Sequence, residues 1–150
     1  MIRLIKTTSD HPDFIGLVSQ LDAYLKVTDG DEHEFYNQFN GRDQLKHVIL
    51  AYSDEQPIGC GAFKGFDTNS IEIKRMFVTP NLRNQGVAAA VLTALEKWAK
   101  EISYTRAVLE TGKRQTEAIH FYQKNGYSQI PNYGQYKGME NSMCFEKLIP

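Results

Sequence analysis

The sequence predicts a mixed α/β domain, and three observations carry that prediction. The apolar period switches between helical and strand-like spacing several times along the chain. Between His47 and Val78, three β-branched stretches are separated by short turns, as in an antiparallel meander. Beyond them a long amphipathic stretch leads into a short apolar one, the strand, helix, strand order that a right-handed parallel crossover requires. With 150 residues, 41% hydrophobic and 23% charged, the composition is that of one ordinary domain over residues 1–150.

Taken in order, Ile2 and Leu4 alternate with polar neighbours as a first strand does, and Ser9-Asp10-His11-Pro12 carries helix-start chemistry. Phe14, Leu17, Val18, Leu21 and Leu25 form one apolar helical stripe running to about Lys26. Thr28-Asp29-Gly30-Asp31 ends it, and a second, shorter helix is expected from about Glu32 to Phe39, before Asn40-Gly41. His47 to Tyr52 reads as a strand, Asp54 to Pro57 as a turn, and Ile58 to Phe66 as the return strand. Thr68-Asn69-Ser70 turns the chain into Ile71 to Val78, and Pro80 closes the meander. Val87, Val91, Ala94, Leu95 and Trp98 mark a long helix whose apolar face is wide enough to pack on a sheet. Arg106 to Thr111 is a short strand. A helix with Ala118, Phe121 and Tyr122 on one face ends at Asn125-Gly126, and Ser142 to Leu148 forms a last strand after a tyrosine-rich loop.

Charge and composition exclude several functions. Lys and Arg number 17 against 18 Asp and Glu, a net charge of -1 that supplies no field for holding a phosphate backbone or an anionic membrane. Neither nucleic acid nor a membrane is expected as a partner. Met1 to Thr7 has too short an apolar run for a signal peptide, and no later stretch reaches membrane-spanning length, which predicts a cytoplasmic protein. Cys60 and Cys144 lack Cys-x-x-Cys spacing and read as small core residues. His11, His33, His47 and His120 show no ligand spacing, so no metal site is expected.

Chemistry concentrates in Val78-Thr79-Pro80-Asn81-Leu82-Arg83-Asn84-Gln85-Gly86-Val87-Ala88, where a strand ends, the chain turns and a helix opens. First-turn N–H groups of a helix have no internal partner and sit at the positive end of its dipole, so this turn suits a pyrophosphate. Gly86 lets the backbone approach a ligand, Ala88 and Ala89 keep the helix start uncluttered, and Arg83 adds a positive charge. A surface turn with an incidental glycine is the plainer alternative.

Arg83-Asn84-Gln85-Gly86-Val87-Ala88 resembles the acetyl-CoA signature R/Q-x-x-G-x-G/A of the GNAT superfamily of N-acetyltransferases. Downstream, Ala118-Ile119-His120-Phe121-Tyr122-Gln123-Lys124-Asn125-Gly126-Tyr127 is similar to that family's A-x-x-x-Y-x-K-x-G-F/Y motif. The resemblance covers most of the chain and is weakest before His47. It implies a three-layer fold: a central mixed, mostly antiparallel sheet splayed between its fourth and fifth strands, helices on both faces, and acetyl-CoA in the gap. It further implies that Met76 and Val78 bond the pantetheine arm through their backbones and that Asn84, Gln85, Gly86, Val87, Ala88 and Ala89 wrap the pyrophosphate. Gln115 stands where the family often has an asparagine touching the pantetheine, and Tyr122 holds the position that faces the thioester sulfur.

Acyl transfer to an amine needs a neutral nucleophile, stabilisation of an oxyanion and an exit for the thiolate. An amine with a pKa of about 10.4 is neutral in about one molecule in a thousand at pH 7, a deficit of roughly 4 kcal/mol. Glu110 is the first choice to take the proton, since a carboxylate there matches the family's general-base position on this strand. Glu72 is the second, with an ordinary ion pair to Lys74 or Arg75 as its alternative role. Tyr122 can donate a hydrogen bond to the departing sulfur, although full proton transfer from phenol to thiolate is uphill by roughly 2 kcal/mol at ordinary pKa values. An N–H near Phe77 is the expected oxyanion donor.

On the acceptor side, Asp29, Asp31, Glu32 and Glu34 form an acidic cluster that either attracts a cationic amine or is simply a solvated loop. Tyr133 and Tyr136 lie in the loop before the last strand, either covering the acceptor or packing there without a role. The expectation is acetyl transfer from acetyl-CoA to a primary amine of a small molecule, by direct attack in a ternary complex, in a monomer or a homodimer. A protein or peptide acceptor is the enzymatic alternative, and an acyl-CoA-binding sensor without turnover is the alternative of another class.

Overall fold

The computed structural model describes residues 1–30 and 44–150. Its elements in order are β1 (Ile2–Thr7), α1 (Pro12–Asp29), β2 (His47–Ser53), β3 (Gln56–Gly65), β4 (Ser70–Val78), α2 (Val87–Glu101), β5 (Arg106–Gly112), α3 (Thr116–Lys124), β6 (Ser128–Ile130) and β7 (Ser142–Leu148). Short 3₁₀ turns lie at Pro80–Leu82 and Gly134–Tyr136. The seven strands form one sheet in the order β1-β2-β3-β4-β5-β7-β6, in which the β4–β5 pair is parallel and the others antiparallel. The expected helix from Glu32 to Phe39 lies outside the described residues.

Two departures from the sequence reading have simple causes. α1 runs one turn beyond Lys26, to Asp29, because backbone bonding continues after the apolar stripe stops; Val27 is fully solvent-facing and Gly30, at φ 59°, ends the helix. β6 stands where only a loop was expected. Its three residues, Ser128-Gln129-Ile130, are too short and too polar to show a period, and it is held by pairing with β7.

Side chains alternate between the two faces of the sheet, and because each face has its own helices the central strands β2 and β3 are buried through consecutive residues. Val48, Leu50, Tyr52, Cys60 and Ala62 pack with Phe14, Leu17 and Leu21 of α1. Ile49, Ala51, Ile58, Ile71 and Ile73 pack on the other face with Val91, Leu92 and Leu95 of α2 and Tyr122 of α3. The start of α1 is fastened by His11, whose Nδ1 accepts from the Asp13 amide at 3.1 Å.

The feature that creates a site is a parting of the sheet. β4 and β5 pair only at Ser70↔Arg106, Ile71↔Ala107 and Glu72↔Val108. Beyond Glu72, β4 stays paired with β3 as far as Val78, and β5 stays paired with β7 as far as Gly112, so the two halves of the sheet diverge. β4 carries a bulge where they separate: between the pairs Ala62↔Lys74 and Cys60↔Phe77, Arg75 and Met76 oppose the single residue Gly61. Such an extra residue bends and twists its strand. Arg75 adopts φ 58°, a left-handed conformation that costs an L-residue about 1–2 kcal/mol. It is held there by a 2.6 Å ion pair from its buried guanidinium to Asp22 of α1 and by the Cys60 thiol, which donates to its carbonyl at 3.3 Å.

Gly61 lets α2 close over the bulge. A Cβ at this position would lie 2.5 Å from Met76 Sδ, 2.8 Å from Val91 Cγ1 and 2.9 Å from Leu95 Cδ1. Gly61→Ala should therefore lose about 1–3 kcal/mol of stability in urea unfolding through overpacking. Gly16→Ala is the opposite case: Gly16 lies inside α1 with nothing within 4 Å of a built Cβ. That substitution should gain roughly 0.5–1 kcal/mol from helix propensity. Equal stability of Gly61→Ala and the wild type would contradict the close β3–α2 approach.

Candidate active site

The parted strands leave a cleft whose walls come from five parts of the chain. Leu21 and Leu25 of α1 contribute one side, Glu72 to Met76 of β4 and Glu110 with Thr111 of β5 the two lips. Gln115, Ala118 and Tyr122, from the start and face of α3, close the opposite side, and Tyr136 reaches in from the loop before β7.

At the end of β4, the Thr79 amide donates to Ile58 of β3 at 2.9 Å, so the alternation of the strand turns the amide and carbonyl of Val78 toward the gap. The chain then passes through Asn84, at φ 66°, and Gly86, at φ 81°, into α2. The first intrahelical bond is Ala90 N–H to Gly86 O at 3.0 Å, so the amides of Val87, Ala88 and Ala89 precede the ladder and α2 has no side-chain cap. Nothing lies within 4 Å of a Cβ built on Gly86. The glycine thus serves the left-handed turn and leaves open space above it, a cradle that fits a pyrophosphate.

Arg83 sits between the turn and α1. Its Nε donates to Val78 O at 3.2 Å, and the guanidinium lies 5.5 Å from the Tyr24 ring centroid and 5.8 Å from that of Phe77. In this arrangement Arg83 braces the turn against α1 and occupies one lone pair of the Val78 carbonyl. The Phe77 side chain itself is buried in the cluster on the α1 face, and Met76 packs partly buried against the α2 face.

Tyr122 is buried on α3, edge-on to Phe121 at 5.1 Å and to Tyr127 at 5.7 Å. Burial first, and then the Glu110 carboxylate, pushes its phenol well above the ordinary value near 10. Glu110 is half-buried on β5, two residues beyond the last β4–β5 pair, and its field reaches Lys74 and Tyr136 as well. Gln115 immediately precedes α3, and its amide bonds Gly112 O at 3.0 Å.

Glu72 sits deeper, 4% exposed, where the strands begin to part. Its Oε2 accepts a 2.7 Å hydrogen bond from the Tyr133 hydroxyl, and its Oε1 lies 3.6 Å from Lys74 Nζ. The expected ion pair is therefore made with Lys74, while Arg75 turns to Asp22. Burial holds the Lys74 ammonium below its usual proton affinity, opposed by the nearby Glu72 carboxylate. Tyr136 is fully buried, packed with Cys144 and edge-on to Tyr133 at 5.8 Å.

Glu72, Glu110, Met76, Gln115, Tyr122 and Tyr136 thus share one cleft, with the Gly86 turn beyond the end of β4. Asp29 closes α1, whereas Asp31, Glu32 and Glu34 lie outside the described residues. Sequence reasoning missed Lys74 and the Leu21–Leu25 wall as parts of the cleft. Lys74 was detectable as the i+2 neighbour of Glu72, on the same face of β4. Both cysteines are buried, as expected, and His120 is exposed on α3. Among the described residues no cluster of ligands could hold a metal, and no helix is long and apolar enough to cross a membrane.

Residues 16–127 match the Acetyltransferase (GNAT) family. An Azospirillum brasilense protein named IAA acetyltransferase is 29% identical over 143 residues, covering 90% of each chain. A candidate acyl-CoA N-acyltransferase from Klebsiella pneumoniae superposes with a TM-score of 0.84 at 26% identity, covering 100% of this chain and 99% of the other. A GNAT family acetyltransferase from Elizabethkingia anophelis, solved with acetyl-CoA bound, shares the fold at a TM-score of 0.68 and 22% identity, covering 98% and 97%. Matched over most of its length and built on a sheet parted between β4 and β5, the chain belongs to the GNAT family of acetyltransferases.

Proposed function

We propose that the protein transfers the acetyl group of acetyl-CoA to a primary amine of a small molecule, by direct attack while both substrates are bound. The observation that carries this reading is the meeting of Glu110 and Tyr122 at one cleft, from β5 and α3, beside a strand end whose neighbour has parted from it. Acetyl-CoA supplies an activated thioester carbonyl. The amides of Val87, Ala88 and Ala89 and the open turn at Gly86 would hold its phosphates, and the backbones of Met76 and Val78 would take its pantetheine arm.

Glu110 takes the proton from the acceptor ammonium, offsetting the roughly 4 kcal/mol deficit of neutral amine at pH 7. The amine then attacks the thioester carbonyl, whose oxyanion is held by an amide near Phe77; as the carbon–sulfur bond breaks, the nitrogen gives its second proton to the departing sulfur, which leaves as the thiol. Tyr122 meets that sulfur as a hydrogen-bond donor. Because burial raises its proton affinity, full transfer to the thiolate is steeper than the roughly 2 kcal/mol of the unperturbed groups, so the phenol keeps its proton.

A thiol-release assay with acetyl-CoA against small amines, amino acids and peptides tests the reading. Release of coenzyme A with a small amine is expected; binding of acetyl-CoA without release to any acceptor would favour a sensor instead. Glu110→Gln should lower kcat/KM by about 10²–10⁴-fold near pH 7. That defect should shrink as pH rises toward the amine's own pKa, and a defect of constant size would assign Glu110 to positioning. Tyr122→Phe should lower kcat at least tenfold with near-normal acetyl-CoA affinity. Since the Tyr122 pKa lies above 10, the wild-type kcat should show no loss from phenol ionisation up to about pH 10. An alkaline limb below that pH that disappears in Tyr122→Phe would contradict the donor role.

A further inference from the structure

The two carboxylates of the cleft are held very differently, and the difference separates their roles. Glu72 is almost fully buried, with Oε2 taken by the Tyr133 hydroxyl at 2.7 Å and Oε1 facing Lys74 at 3.6 Å. To accept a proton from an acceptor amine it would have to compete with both contacts. Tyr133 belongs to the connection between β6 and β7, and that connection is a unit of its own. Asn132 Nδ2 donates to the carbonyls of Tyr136 at 3.1 Å and Met139 at 3.0 Å, which folds the segment back on itself.

This unit is fastened on both sides of the parted sheet. On the β4 side are the Glu72 bond and an edge-on ring contact between Tyr133 and Phe66, at 4.8 Å, just beyond the end of β3. On the β7 side Tyr136 packs on Cys144, and the Tyr133 backbone hydrogen-bonds the Cys144 thiol. The connection therefore crosses from the β7 half of the sheet to the β4 half at the closed end of the gap, on the face that carries Glu72, Lys74 and Glu110, with Tyr136 reaching into the cleft.

We propose that Glu72 and Tyr133 form a latch that keeps this strap closed over the acceptor end of the cleft, making Glu72 a positioning residue that limits acceptor size rather than the base. The proposal rests on the acetyl-transfer reading for its kinetic consequences, but the latch itself is independent of it. Burial and the adjacent Glu72 carboxylate raise the proton affinity of Tyr133, so its hydroxyl remains a donor at every working pH. Held closed in this way, the strap would leave room for a compact amine and bar the flanking chain of a polypeptide, which is the size limit the latch implies.

Tyr133→Phe removes the hydroxyl alone and keeps the ring contacts with Phe66 and Tyr136, so this variant tests the latch without hollowing the loop. Amide hydrogen exchange across residues 132–140 should quicken at least tenfold in Tyr133→Phe, with the β2–β3 amides unchanged. Wild-type exchange in that segment would overturn the latch. In kinetics with acetyl-CoA, Tyr133→Phe should raise the acceptor KM more than it lowers kcat. It should also raise kcat/KM for a peptide amine relative to a small amine at least tenfold, and an unchanged ratio would overturn the size limit. Glu72→Gln, whose amide oxygen can still accept from Tyr133, should keep the pH dependence of kcat/KM that Glu110→Gln alters. Loss of that dependence in Glu72→Gln would make Glu72 the base and end the proposal. If the wild type acetylates no amine, the acetyl-transfer reading fails, and the exchange comparison alone decides the latch.

Discussion

β4 holds one residue more than β3 has partners for, and the resulting bulge at Arg75 and Met76 is the constraint on which the site depends. The bulge bends and twists β4 where it leaves β5, although a parallel pair loses hydrogen bonds by separating. The separation persists because each strand keeps its outer partner and because Arg75, strained at φ 58°, is tied to Asp22 by a 2.6 Å ion pair. α1 therefore does more than cover a face of the sheet. It anchors the strained residue, and it supplies Leu21 and Leu25 to the wall of the gap that this residue opens.

Opening the gap exposes backbone polar groups that a closed sheet would satisfy internally, and this explains how a chain of net charge -1 suits an anionic donor. Strand groups at Val78 and helix-start amides at Val87 to Ala89 offer hydrogen bonds without demanding basic side chains. Arg83, the one cation in the phosphate-loop motif, is turned toward Val78 O and the rings of Tyr24 and Phe77. Its charge stiffens the junction of α1, β4 and the turn. Deeper on the same lip, Glu72 and Lys74 offset one another, and Glu110 lies on the opposite lip, β5, beside the Tyr122 side of the cleft.

The parts of this arrangement that were legible in the sequence are those written in local pattern. The stripe Val91, Leu95 and Trp98, the glycine turn at Gly86 and the strand Arg106 to Thr111 each announce themselves within a few residues. Tyr122 was placed by a motif that surrounds it. What was not legible depends on contacts distant in sequence. The bulge requires Gly61 opposite Arg75 and Met76, the pairing of Tyr133 with Glu72 spans 61 positions, and β6 exists only because β7 offers it an edge. The contact of Arg83 with Tyr24 was hidden for the same reason, since Tyr24 lies far earlier in the chain and leaves no local trace.

The central claim is that the donor lies in the gap between β4 and β5, held mainly by backbone. An amide-resolved NMR titration with coenzyme A tests it directly, because the ligand does not react and every amide reports its own surroundings. Perturbations are expected to concentrate at Met76 to Val78, Asn84 to Ala89 and Gln115 to Tyr122, with β1 and β2 silent. Saturable binding that shifts amides away from the parted strands, while those segments stay unchanged, would contradict it.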